Sequence, residues 1–157
     1  LYDGAEPSGN SVAILNLLRL EELTSNDAYR RRAEAALAVF APALAANPNV
    51  APKMLSALDF VLDEPFEVIV VMPNATSERD ATLLDTLRST YLPNRVLAVV
   101  DETAAAAQAD RIPLFEGKRA VDGRTTAYVC KKGVCKRPTS DPRELARQLA
   151  EVRRLEG

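Results

Sequence analysis

The sequence predicts an α/β protein in two parts, a helical segment over residues 1–63 followed by an α/β domain over residues 66–157 with the order βαβαββα. Three observations carry this. Apolar residues recur at helical spacing as far as Asp63. At Glu64-Pro65 the pattern changes to a near-continuous run rich in Val and Ile, from Phe66 to Met72. Near the end, Lys132-Gly133 separates two short segments of strand character. At 157 residues and 47% hydrophobic content the chain can bury a core without disulfide or metal staples. Its 20 Lys plus Arg against 22 Asp plus Glu leave a net charge of −2. There is no histidine, which excludes Ser-His-Asp and Cys-His devices, imidazole metal ligands and a histidine general base.

In order along the chain, Ser8 and Asn10 are N-cap residues for a first helix, mostly buried, carrying Val12, Ile14, Leu15, Leu17, Leu18, Leu20 and Leu23 over a polar stripe of Asn16, Arg19 and Glu22. A second helix begins near Ser25–Asp27 with Tyr29, Ala33, Ala36, Leu37, Phe40 and Leu44 on one side, and Pro42 kinks its last turn. Pro52 opens a third that packs Met54, Leu55, Leu58, Val61 and Leu62. Phe66 to Met72 is then a buried strand. Ser77 and Asp80 form a capping box for a helix carrying Leu83, Leu84, Leu87 and Tyr91. Arg95 to Val100 is a second buried strand, Ala104 to Ala109 a short helix, and Ile112 to Gly123 irregular. Thr125 to Lys131 and Val134 to Arg137 make a hairpin, and Ser140 or Asp141 caps a last helix with Pro142 first and Leu145, Leu149 and Val152 inward.

The β-α-β-α-β-β-α order resembles the connectivity of a thioredoxin-like fold, and Thr126-Ala127-Tyr128-Val129-Cys130-Lys131-Lys132-Gly133 is similar to the third strand and hairpin of thioredoxins. The loop after the first strand lacks Cys-x-x-Cys, and no proline precedes the third strand. On that resemblance the redox site of the fold is lost. A flavodoxin-like arrangement shares the first four elements. More specific are Asp3-Gly4-Ala5-Glu6-Pro7-Ser8-Gly9-Asn10-Ser11, Pro93-Asn94-Arg95-Val96-Leu97, and Thr126 to Cys130 followed by Cys135 and Asp141-Pro142. Together these resemble the spermatogenesis-associated protein twenty family, large proteins similar to a thioredoxin-like domain followed by a six-hairpin-glycosidase-like (α/α) toroid. The resemblance implies that residues 1–63 are the closing part of the toroid and that the chain is a C-terminal fragment. Its opening on Leu1 agrees with that expectation.

Two constellations are candidate sites. In the Asp3–Ser11 loop, two carboxylates and several hydroxyl or amide groups converge before a helix start, where free N–H groups and the helix dipole favour anions. In toroids similar to sugar epimerases and glycosidases such loops face the cleft. Asp3 and Glu6 are therefore candidate catalytic carboxylates, and Ser8 and Asn10 candidate substrate-binding groups. The plainer reading is that Ser8 and Asn10 cap the helix and the carboxylates favour its dipole. In the hairpin, a two-residue turn puts Cys130 opposite Cys135 as a non-hydrogen-bonded pair, with Cα atoms about 4.5 Å apart. Free thiols, a redox-active or oxidised pair, and metal binding all remain open, although two thiolates without histidine fill only half a zinc shell. The neighbouring Lys118, Arg119, Arg124, Lys131, Lys132, Lys136 and Arg137 would favour thiolate. As edge lysines they also guard against sheet-to-sheet pairing.

No cofactor is expected, since the turn after the first strand has no glycine to cradle phosphate. No nucleic-acid or membrane partner is expected. The expected partner is the remainder of the parent chain, with self-association of the fragment through an uncovered apolar helix face. Only two cysteines fit a cytoplasmic setting.

Overall fold

The computed structural model describes residues 2–74 and 81–152, so the predicted Ser77 and Asp80 capping pair lies outside the described residues. The chain divides into two units, Leu1–Pro65 and Phe66–Gly157.

In the first unit, α1 spans Gly9–Thr24, α2 Asp27–Ala46 and α3 Pro52–Leu62, with a 3-10 turn at Pro48–Val50. These three helices carry no ring closure of their own. α1 packs on both α2 and α3. It is amphipathic rather than mostly buried: Ser11, Ile14, Leu15 and Leu18 face inward, while Val12 and Leu20 are exposed. Ser8 caps it and Asn10 lies inside its first turn, which corrects the double-cap expectation. α2 buries Ala33, Leu37 and Leu44, and continues through Pro42 to Ala46. Met54 of the predicted stripe is buried, but the rest of the buried face of α3 is Ala57 and Phe60; Leu55, Leu58 and Val61 are only half-buried, and Leu62 is exposed.

The second unit is an α/β domain with a thioredoxin-like arrangement that lacks Cys-x-x-Cys. β1 (Phe66–Met72), α4 (Ala81–Ser89), β2 (Arg95–Asp101), α5 (Glu102–Gln108), β3 (Thr126–Lys131), β4 (Val134–Cys135) and α6 (Pro142–Val152) follow in order. The sheet order is β2-β1-β3-β4, with β2 parallel to β1 and β3 antiparallel to it. β1 is central, and Val68, Ile69, Val70 and Val71 are fully buried. The core joins Val68 and Val70 with Ala127 and Val129 of β3, Leu83 and Leu87 of α4, and Leu145 and Leu149 of α6.

Three expectations are corrected here. β2 is an edge strand rather than a buried one: Val96 is buried, but Leu97 and Val99 are exposed. Tyr91 lies beyond the end of α4 and is 71% exposed. The predicted second hairpin strand shortens to Val134–Cys135, although ladder bonds resume from Lys136 N–H to Val129 O and between Ala127 and Thr139.

Candidate functional site

In the N-terminal loop the structure brings Asp3 and Ser8 together and leaves Glu6 and Asn10 exposed. Ser8 adopts extended backbone angles before α1, and its Oγ accepts from Ser11 N–H at 3.2 Å. Asp3 Oδ1 accepts from Ser8 N–H at 2.6 Å, and Oδ2 accepts from Ser11 Oγ at 3.2 Å. Asp3 Oδ2 also accepts from Lys53 N–H at 2.8 Å and Met54 N–H at 3.3 Å. The reason lies at α3. Its N-cap is Ala51, which has no side-chain acceptor, and Pro52 follows. The second N–H group of that helix, at Lys53, needs an outside partner, and Asp3 supplies it from 50 residues upstream; Met54 N–H is shared between Asp3 and Ala51 O, the latter at 3.0 Å.

Desolvation pushes the Asp3 pKa up, but the donors at Ser8, Ser11 and Lys53 outweigh it and hold the carboxyl below its ordinary value. Asp3 is thus engaged by four donors, two of them at the start of α3. Sequence reasoning missed Ser11, which is fully buried. The signal for the whole arrangement was Ala51-Pro52, a helix start without a capping side chain.

In the hairpin, Lys132 and Gly133 have φ of 51° and 74°, the doubly positive pattern of a type I′ turn. The register pairs Lys131 with Val134 and Cys130 with Cys135. The Lys136 N–H to Val129 O bond makes the cysteine pair the non-hydrogen-bonded one. Cys130 and Cys135 are joined as a disulfide, with Cα atoms 3.9 Å apart. Cys130 is buried, whereas Cys135 is exposed. Directly across β1 from Cys130 stands Glu67, a buried carboxylate that sequence reasoning passed over because it sits inside an apolar run.

The neighbouring cations are largely held elsewhere. Lys136 Nζ donates to Glu151 at 2.6 Å and to Gln148 O at 3.2 Å. Lys131 lies 5.1 Å from the Phe66 ring centre and Lys118 5.9 Å from that of Tyr128. Burial pushes the Lys118 pKa down against the raising influence of Glu67 and Glu116. The Tyr128 hydroxyl donates to Arg119 O at 2.7 Å and accepts from Arg119 N–H at 3.1 Å. Among the described residues, no group of three or more Cys, Asp or Glu is arranged to hold a metal ion, and no helix is long and apolar enough to cross a membrane.

Comparison with known proteins adds a lineage to this geometry. Over 147 residues the chain is 32% identical to rat (Rattus norvegicus) spermatogenesis-associated protein 20, an overlap that takes in 94% of this chain. The chain is homologous to the spermatogenesis-associated protein 20 family over most of its length. The human (Homo sapiens) protein of that name is 31% identical over 94% of this chain. An uncharacterized Caenorhabditis elegans protein, B0495.5, is 31% identical over 91% of it. The chain spans only about a fifth of the length of these relatives, 18% of the rat protein and 19% of the human one. No protein-family model matches the chain, and no solved structure matches it.

Proposed function

We propose that the chain is a non-catalytic structural and interaction segment of a larger protein related to spermatogenesis-associated protein 20. The observation that carries this reading is the Asp3 carboxylate. The most site-like loop of the chain uses that group to start α3, as shown by its bonds to Lys53 and Met54 N–H. The partner is the remainder of the parent chain. In this reading residues 1–63 complete a helical toroid, and the apolar groove of about 540 Å³ between α2 and α3, bordered by Leu37, Leu44, Leu55 and Leu58, supports it. A carbohydrate-directed role for the loop would rest on Glu6, which is exposed. Full-length parent protein carrying Glu6→Gln is expected to treat a panel of glycosides and epimerisable sugars as the unaltered protein does. Turnover present in the unaltered protein and lost in a stably folded variant overturns the non-catalytic reading.

A second reading, thiol redox, is favoured by the bond between Cys130 and Cys135 and by the exposure of Cys135. An external thiolate would attack the accessible Cys135 sulfur. The S–S bond breaks, and the electron pair leaves on Cys130 sulfur, which takes up a proton. A second thiol of the same reductant then releases Cys135 and leaves as its own disulfide. Glu67, buried across from Cys130, is the carboxylate placed closest in the ladder to that proton transfer. Titrating thiols with and without reductant is decisive: two free thiols in non-reducing buffer, unchanged by mild oxidation, end this reading.

A further inference from the structure

β2 forms the outer edge of the sheet opposite β4. Its backbone direction follows from one bond: Phe66 N–H donates to Asn94 O at 3.0 Å, with Phe66 in register with Arg95. Bonded residues alternate along a parallel ladder, so Asn94, Val96, Ala98 and Val100 turn their peptide groups toward β1. Arg95, Leu97, Val99 and Asp101 therefore turn theirs outward, where no strand meets them among the described residues. Leu97 and Val99 are each 42% exposed. They border a groove of about 210 Å³ whose other walls include Met72, Leu84 and Leu87. Native edges are ordinarily guarded by charge, proline or a bulge. The five residues between Arg95 and Asp101 carry none of these.

The strand Arg95-Val96-Leu97-Ala98-Val99-Val100-Asp101 is complementary to its own reverse. Turned about Ala98, Arg95 stands opposite Asp101, Val96 opposite Val100 and Leu97 opposite Val99. This register sets outward-facing peptide groups against outward-facing ones, so each Leu97–Val99 pair exchanges two N–H···O=C bonds. A slip of one residue sets outward groups against inward ones, and a slip of two sets Asp101 opposite Leu97 or Arg95 opposite Val99 and leaves the other charge beyond the partner strand. The charges are fixed in place. Arg95 Nη1 donates to Leu87 O at 3.0 Å, and Asp101 Oδ1 accepts from Ala104 N–H at 2.9 Å.

We propose that the β2 edge is an interaction surface for a second copy of this chain, with the two β2 strands pairing antiparallel about a twofold axis through Ala98. The surface differs from the uncovered helix face that the sequence suggests for self-association, and it is independent of whether the chain is catalytic. Sedimentation equilibrium of the full chain is expected to show a monomer–dimer equilibrium. Val99→Lys sets a cation opposite Leu97 twice per dimer and is expected to weaken it about tenfold or more, with an unchanged circular dichroism spectrum because Val99 is exposed. The register is read separately. Ala98→Cys under mild oxidation is expected to give a linked dimer whose bridge maps to position 98 by mass spectrometry. Val100→Cys, with its two copies about 13 Å apart in this register, is expected not to link. A chain that stays monomeric at the highest soluble concentration overturns the proposal. So does a dimer indifferent to Val99→Lys in which Ala98→Cys links no better than Val100→Cys.

Discussion

Asp3, a candidate catalytic carboxylate in sequence, is held in the structure by four donors from the Ser8–Ser11 turn and the start of α3. Asp3→Asn keeps the size but replaces one acceptor oxygen with a donor facing N–H groups, and is expected to destabilise the chain by about 2 kcal/mol in urea unfolding. Glu6→Gln, at an exposed position, is expected to change stability by less than about 0.5 kcal/mol. The pH dependence has a definite sign. The folded-state pKa of Asp3 lies below the ordinary 3.8, so its contribution is complete above the unfolded pKa and is lost as pH falls through the folded one. The stability gap between the unaltered protein and Asp3→Asn should therefore be constant near neutrality and close below about pH 4. A gap that persists to the acid limit would mean that the carboxylate charge is not what holds the α3 start. The link to α3 was not legible from Asp3 itself, because the partners there, Lys53 and Met54, are backbone N–H groups far along the chain. Residue types reveal donors and acceptors on side chains, not which peptide groups will be left unbonded.

At the scale of elements, the sequence resolved those that punctuate themselves. β1 runs from Phe66 to Met72 as its apolar run indicates, and Pro52 and Pro142 open α3 and α6. The hairpin register followed from a turn of only two residues, which leaves the flanking strands no freedom to slip. Gly133 has φ of 74°, so Gly133→Ala is expected to cost about 1 kcal/mol by thermal unfolding. A neutral result would contradict the type I′ turn. β2 was read as buried because a central strand and an apolar edge strand have the same local composition; the difference is whether another strand lies beside it, which no window of sequence contains. α6 offers a second electrostatic test. Arg147 and Gln148 donate to Glu144, and these bonds hold its carboxyl down to about 2. The favourable interaction is therefore complete above the ordinary value of 4.5 and is lost as pH falls from there toward 2. NMR titration of the Glu144 carboxyl is expected to give a midpoint near 2, moving toward the ordinary value in Arg147→Met. An unmoved midpoint would show that another group governs it.

Across the molecule, the change of pattern at Glu64-Pro65 coincides with the division of the chain into Leu1–Pro65 and Phe66–Gly157, each with its own buried apolar residues. The helical unit buries Leu18, Met54 and Phe60, and the α/β unit buries Val68, Val70, Leu83, Leu87 and Leu149. A cavity opened in one cluster removes dispersion contacts and apolar burial only from side chains that touch it. Its cost should therefore appear in the amides of the same unit. Leu87→Ala is expected to lower the opening free energies of the β1 and β3 amides by roughly 2–4 kcal/mol in native-state hydrogen exchange. The same substitution is expected to leave the slow amides of α1 and α3 within about 0.5 kcal/mol of their original values. Phe60→Ala should give the opposite pattern, with losses in α1 and α3 and none in the sheet. Loss of protection in both units from either substitution would show that the chain opens as one cooperative body.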